Sequence, residues 1–135
     1  MTDRQLIDIA AKTMNNSYSP YSGFKVGAAL ECSDGTVFTG CNIENAAFGA
    51  TICAEAAAVA SAVSAGKRAF KRIAIVSEGG TYCFPCGTCR QLLNEFSPDM
   101  EVLCVRADNR YVSYPLATLF PMAFGKDQID NSQIN

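Results

Sequence analysis

The sequence predicts an α/β fold, a single layered αβα domain in which helices cover both faces of a mixed five-stranded sheet. Two short unbroken apolar runs, Ile73-Ala74-Ile75-Val76 and Val102-Leu103-Cys104-Val105, have the pattern of central strands covered on both faces. Segments with helical spacing stand before, between and after them, and the order α-β-β-α-β-α-β-β-α is that of a layered α/β unit. The 135 residues give room for one compact domain and no second, with a core over about 3–125 and a polar tail over 126–135. With 49% hydrophobic and 18% charged residues, the chain has the composition of a folded domain and not of a disordered segment.

Each element has its own signal. Over residues 3–17, Leu6, Ile9, Ala10, Thr13 and Met14 recur at helical spacing, and Pro20 closes the segment. Val26, Ala28, Leu30 and Cys32 then alternate with their neighbours, and Asp34-Gly35 supplies a tight turn before Val37-Phe38-Thr39, which reads as a hairpin. Residues 42–51 mix Asn, Gly and Glu as a loop does. An Ala-rich helix follows from Cys53 to Ala65, with Gly66 at its end. A further helix from Cys86 to Phe96 separates the two apolar runs. Tyr111-Val112-Ser113 is a short last strand, and 115–119 form a helical turn or two before Pro121.

Composition excludes several function classes. Eleven Lys and Arg against 13 Asp and Glu leave a net charge of −2, without the basic surplus that binding to a nucleic-acid backbone needs. There is no histidine, so proton transfer near neutral pH falls to a carboxylate, a thiol, a lysine, a tyrosine or a water on a metal. Met1-Thr2-Asp3-Arg4 does not begin a secretory pattern, and no run reaches the ~18 apolar residues of a membrane span, so a cytoplasmic protein is expected. The seven cysteines are an odd number, which a fully paired disulfide framework cannot use, and in a reducing compartment clustered cysteines serve metal or catalysis.

Three of them stand at helix starts: Cys53 before one helix, and Cys86 and Cys89 in Pro85-Cys86-Gly87-Thr88-Cys89 before another. The free N–H groups and dipole of a helix N-terminus favour thiolate, the form that binds zinc. Three sulfurs leave a tetrahedral zinc one position for water, as in catalytic sites. Glu55, two residues after Cys53, places a carboxylate where it can take a proton from that water and hand it on.

Cys53-Ala54-Glu55 with Pro85-Cys86-Gly87-Thr88-Cys89 resembles the zinc site of the cytidine deaminases in their small, three-cysteine form. The segments 20–30, 40–46, 89–91 and 119–124 are also similar to that family, so the likeness covers roughly residues 5 to 125. The resemblance implies a cytidine deaminase-like fold and hydrolytic deamination of cytidine and 2′-deoxycytidine to the uridine forms plus ammonia, for pyrimidine salvage. It implies one Zn²⁺ per chain on Cys53, Cys86 and Cys89, and Glu55 moving protons from water to N3 and to the leaving amino group. It further implies that Asn42 and Glu44 bind the ribose 3′-hydroxyl, that the Ala54 N–H holds the base carbonyl, and that Phe24 and a neighbour's Phe124 sandwich the pyrimidine. The resemblance also implies that those shared sites belong to a homotetramer.

This chain departs from the family pattern at Ala56, where an Arg commonly offsets the zinc–thiolate charge, and at Phe48, where relatives often have Tyr. Arg90 is the remaining candidate for that task, its fork donating to the sulfur of Cys53 or Cys86. Cys32, Cys41 and Cys104 sit in strand-like contexts and read as buried apolar residues. Cys83 offers a fourth sulfur, which would make a closed structural zinc domain, while a thiol redox pair of Cys86 and Cys89 would need no zinc and no Cys53. A related small deaminase of the blasticidin type is the neighbouring enzymatic reading.

Overall fold

Thr2 starts the first helix, α1 (Asp3–Met14), through a reciprocal cap: its hydroxyl accepts the Gln5 N–H and the Gln5 side chain accepts the Thr2 N–H. The computed structural model describes residues 1–129. α1 ends three residues earlier than its apolar spacing suggests, because the N–H groups of Asn15, Asn16 and Ser17 turn back onto the carbonyls of Lys12, Thr13 and Met14. Leu6, Ile7 and Ala10 are its buried face. Ile7 takes the inner place the sequence suggested for Ile9, which is only partly covered.

Five strands form the mixed sheet: β1 (Val26–Cys32), β2 (Val37–Cys41), β3 (Phe70–Ser77), β4 (Glu101–Val105) and β5 (Tyr111–Pro115). They lie in the order β2-β1-β3-β4-β5, and only β3 and β4 run parallel, joined through helix α3 (Gly87–Phe96). β3 outgrows the apolar run 73–76 at both ends because β1 pairs along its whole length, from Val26 opposite Ser77 to Cys32 opposite Phe70. β2 extends to Cys41, which pairs with Gly27. Helices α2 (Ala54–Ser64), α3 and the short α4 (Leu116–Leu119) cover one face over Leu30, Ile73, Ile75 and Val102. α1 alone covers the other, over Ala29, Ala74, Val76 and Leu103. This alternation of faces is the period-two rule of strands. A single 3-10 turn at Lys126–Gln128 occupies the start of the polar tail, and residues 130–135 of that tail lie outside the described residues. Among the described residues, no helix is long and apolar enough to cross a membrane.

Gly40 fixes the approach of α2 to the sheet. A Cβ there would stand 2.3 Å from the Ala54 carbonyl oxygen and 2.5 Å from the Ala58 N, both backbone atoms that cannot swing aside. The helix carrying Cys53, Ala54 and Glu55 therefore rests directly on the β2 backbone. Overpacking a core costs typically ~1–3 kcal/mol, and a clash with backbone belongs at the upper end or beyond. Gly40→Ala should lower the urea midpoint markedly and weaken metal binding together with it. A variant as stable as the unaltered protein would show that α2 has slack at this contact.

Candidate active site

Cys53 is the N-cap of α2 and Cys86 the N-cap of α3, both with extended backbone and neither using its side chain to cap the helix. Cys89 follows in the first turn of α3 and is buried. The two helix starts converge, so that the three Sγ atoms all lie within 4.8 Å of one another. A tetrahedral zinc with bonds of about 2.3 Å sets its sulfurs roughly 3.8 Å apart, so the donor set and its spacing suit that ion. The Cys89 thiol donates to Cys53 and holds it down at about 6, while the same bond and burial raise Cys89. The arrangement already favours a thiolate. Cys83 lies outside this group of three, and burial pushes its thiol up to about 11. The four-sulfur alternative is thus not the geometry found.

Glu55 stands in the first turn of α2 and is only 5% exposed. Burial raises its carboxyl above the usual range, against smaller opposing effects of its own backbone N–H and of Cys89. It lines a cavity of about 230 Å³ together with Cys53, Ala54 and Cys86. Phe24, Val26, Asn42, Thr51, Ile52, Cys83 and Phe84 form the rest of the wall. A wider groove of about 340 Å³ adjoins at Thr51 and is lined by Tyr21, Ser22, Glu44, Asn45 and Phe48. Asn42 thus faces the inner cavity and Glu44 the outer groove.

Local pairing brings these loop residues to the helix start. Ile43 and Ile52 exchange both backbone hydrogen bonds at 2.9 Å, and Tyr18 pairs with the Ile43 segment from the other side. The Asn42 amide donates to the Phe24 carbonyl at 2.8 Å, and its oxygen accepts the Val26 N–H at 2.9 Å and the Ser17 hydroxyl. Among the described residues, one N–H of Asn42 remains to be given away. Glu44 accepts the N–H groups of Tyr21 and Ser22 at 2.9 and 3.0 Å and the Ser22 hydroxyl at 2.5 Å, which holds its carboxyl below the usual range. Among the described residues, Asn42 is left with one donor and Glu44 with one of its roughly four acceptor positions.

Phe24 is 45% exposed, and its ring lies so close to Gly79 that a Cβ there would stand 3.2 Å from it. Phe124 is 56% exposed and is not part of its own chain's cavity wall. Gln91 holds the Phe124 carbonyl at 2.8 Å. Cys32 and Cys104 are buried as expected, whereas Cys41, at the end of the edge strand β2, is only partly so.

Arg90 differs from its expected bonding. Its Nε donates to the Pro85 carbonyl at 2.8 Å and its Nη1 to the Leu119 carbonyl at 2.6 Å, and among the described residues it makes no hydrogen bond to sulfur. Starting from the first turn of α3, the side chain runs back to the loop before Cys86 and across to the segment before Phe124. Cys53 and Cys86 cap the starts of α2 and α3, where the unpaired first-turn N–H groups and the helix dipole favour negative charge without Arg90. Sequence reading also missed Ser17, Ser22 and Gln91, which orient Asn42, Glu44 and Phe124. Their partners lie 22 to 33 residues away, so no local pattern marks them.

Comparison with known proteins adds three findings. The family model described as the cytidine and deoxycytidylate deaminase zinc-binding region matches residues 1–105. A cytidine deaminase of Sporosarcina psychrophila is 42% identical over 96% of this chain and 96% of its own, and one of Mycobacterium tuberculosis is 41% identical over 89% and 87%. A crystal structure of cytidine deaminase from Burkholderia pseudomallei superposes with a TM-score of 0.89 at 43% identity, covering 92% of this chain and 100% of that one. A blasticidin-S deaminase of Bacillus cereus is more distant, at 29% identity over 93% of this chain and 94% of its own.

Proposed function

Because the chain belongs to the cytidine and deoxycytidylate deaminase family, we propose that it hydrolyses cytidine and 2′-deoxycytidine to the corresponding uridines and ammonia, as a zinc enzyme of pyrimidine salvage. The observation that carries this reading is the buried Glu55 carboxylate in the same small cavity as the converging Cys53 and Cys86, with Cys89 completing the group. Cys53, Cys86 and Cys89 would hold a Zn²⁺, and the chemistry it would supply there is Lewis-acid activation of water.

Glu55 accepts a proton from the water that adds to C4 of the base and returns it to N3. A second proton passes through the same carboxylate to the amino group, which leaves as ammonia. Such a group must be an acid for part of the cycle, and burial, which favours the neutral form, suits it to that duty. The N–H of Ala54, in the unpaired first turn of α2, serves the base carbonyl. Phe24 supplies one apolar wall for the ring. Phe124, outside its own cavity, serves that of a neighbour in a homotetramer. Exposed Phe48, Ile43, Ile52 and Met122 give that assembly an apolar surface to cover, and sedimentation of a fully active single chain would refute it. Arg90 is a positioning residue here, tying the Cys86 loop to the Phe124 segment. All seven cysteines are free, which suits a reducing cytoplasm.

The remaining Asn42 donor and the Glu44 acceptor match one hydroxyl that both gives and takes a hydrogen bond, the 3′-hydroxyl common to both sugars. The Glu44 charge disfavours a nearby 5′-phosphate, so nucleosides are the substrates and cytidine monophosphate is a poor one. Loss of absorbance when zinc-loaded protein meets cytidine tests the reaction. Hydrogen bonds to charged groups are worth ~1.5–3 kcal/mol, so Glu44→Gln should lower kcat/KM for cytidine by roughly 10- to 100-fold. The unaltered protein should show a similar loss on 3′-deoxycytidine, and the variant little further loss. Equal use of both nucleosides by the unaltered protein would remove Glu44 from this role.

A further inference from the structure

The proposed reaction does not use Phe84, although its ring lines the same cavity as Glu55 and Cys86. Phe84 is 45% exposed, an unfavourable place for a phenyl ring unless something covers it. Its backbone is nevertheless pinned on both sides. The Cys83 N–H reaches the Val105 carbonyl at the end of β4, at 3.4 Å, and the carbonyl of buried Pro85 accepts Arg90 Nε at 2.8 Å. Pro85 itself restricts the preceding residue to extended backbone. The ring packs against Tyr114 of β5, which is not part of the cavity wall, with centroids 6.3 Å apart and planes tilted by 34°. An aromatic side chain held by its neighbours on both sides and by a second ring, yet left open toward a cavity, is built as a wall.

We propose that Phe84, propped by Tyr114, is the specificity-determining residue that closes the pocket against substituents on the C5 edge of the pyrimidine. The inference rests on the cytidine reading above, which fixes the orientation of the ring. With C4 toward the three sulfurs, N3 toward Glu55 and the base carbonyl at Ala54, the two polar positions beside C4 and N3 both face the start of α2. C5 is the other neighbour of C4. It therefore faces away from α2, toward the Cys83–Cys86 loop, where Phe84 is the large side chain of the wall. The pocket then accepts a hydrogen at C5 and resists a methyl group.

The test compares cytidine with 5-methylcytidine on zinc-loaded protein. One methylene in an apolar pocket is worth about 10- to 200-fold in discrimination. The unaltered protein should prefer cytidine, and Phe84→Ala should raise the 5-methylcytidine to cytidine ratio of kcat/KM by about 10-fold or more. Phe84→Leu and Tyr114→Ala should move the ratio the same way by less, since each loosens the wall without removing it. Zinc content should stay at one per chain throughout. Binding of the products, measured by calorimetry, should follow: 5-methyluridine gains on uridine in Phe84→Ala. A ratio within twofold of the unaltered protein in Phe84→Ala, with cytidine still turned over, overturns the inference and leaves the cytidine reading intact. No turnover of cytidine by the unaltered, zinc-loaded protein overturns the reading, and the inference with it.

Discussion

Glu55→Gln yields a folded chain with its full complement of zinc and a turnover of cytidine reduced by ~10⁴-fold or more. General acid–base catalysis is worth typically ~10²–10⁴ per transfer, and here one carboxylate serves water, N3 and the leaving amine in turn. The amide has the same shape and can still accept a hydrogen bond from the helix N–H, so the cavity wall is preserved. It cannot take up a proton and return it. Removing a buried carboxyl whose ionisation burial disfavours should leave the thermal midpoint equal to or above that of the unaltered protein. Substrate binding should persist, so KM changes far less than kcat. Turnover within tenfold of normal would assign the proton transfers to some other group.

The fold was legible in the sequence wherever a single local rule governs. The runs 73–76 and 102–105 announce central strands because burial on both faces removes polar alternation. Gly66 with φ +88° and the Asp34-Gly35 turn, with φ +91° at Gly35, announce their chain reversals because left-handed backbone selects glycine. Element ends were less legible. Where β3 stops depends on how far β1 continues beside it, and where α1 stops depends on the turns that Asn15 to Ser17 make. The metal triad was readable because cysteines at two helix starts have few other uses. The supports of Asn42 and Glu44 were not, since a serine in a loop is chemically ordinary until folding brings it to a carboxylate 22 residues away. Arg90 shows the same limit. Its neighbour Cys89 suggested a partner in sulfur, while its reach from α3 delivers it to two backbone carbonyls that sequence cannot place.

Cys89→Ala should reduce bound zinc from one per chain to a small fraction and abolish measurable deamination, while the sheet stays folded. Cys89 is 1% exposed at the convergence of α2 and α3, so no other side chain can reach its place from solvent. Loss of one of three protein ligands leaves two sulfurs, of which Cys86 is exposed to competing water. The fold itself does not hang on the metal. One apolar cluster, under α1, contains none of the three ligands or their helices, and in the other α2 and α3 are held to the sheet by buried Ala54, Ala58, Val59, Ala62 and Leu93 packed against Leu30, Ile73, Ile75 and Val102, contacts that do not pass through the metal. Far-ultraviolet circular dichroism should therefore be nearly unchanged in the variant and in chelator-treated protein. Zinc still stabilises what it binds, by about 4 kcal/mol at a thousandfold excess over Kd. The thermal midpoint of the unaltered chain should rise with free zinc, and that of Cys89→Ala should not. Cys83→Ala supplies the contrast: its thiol stays outside the triad, so zinc content and midpoint should keep their normal zinc dependence. If Cys83→Ala releases the metal, or if chelation unfolds the chain, the ion is a four-sulfur structural clamp and the three-ligand assignment is wrong.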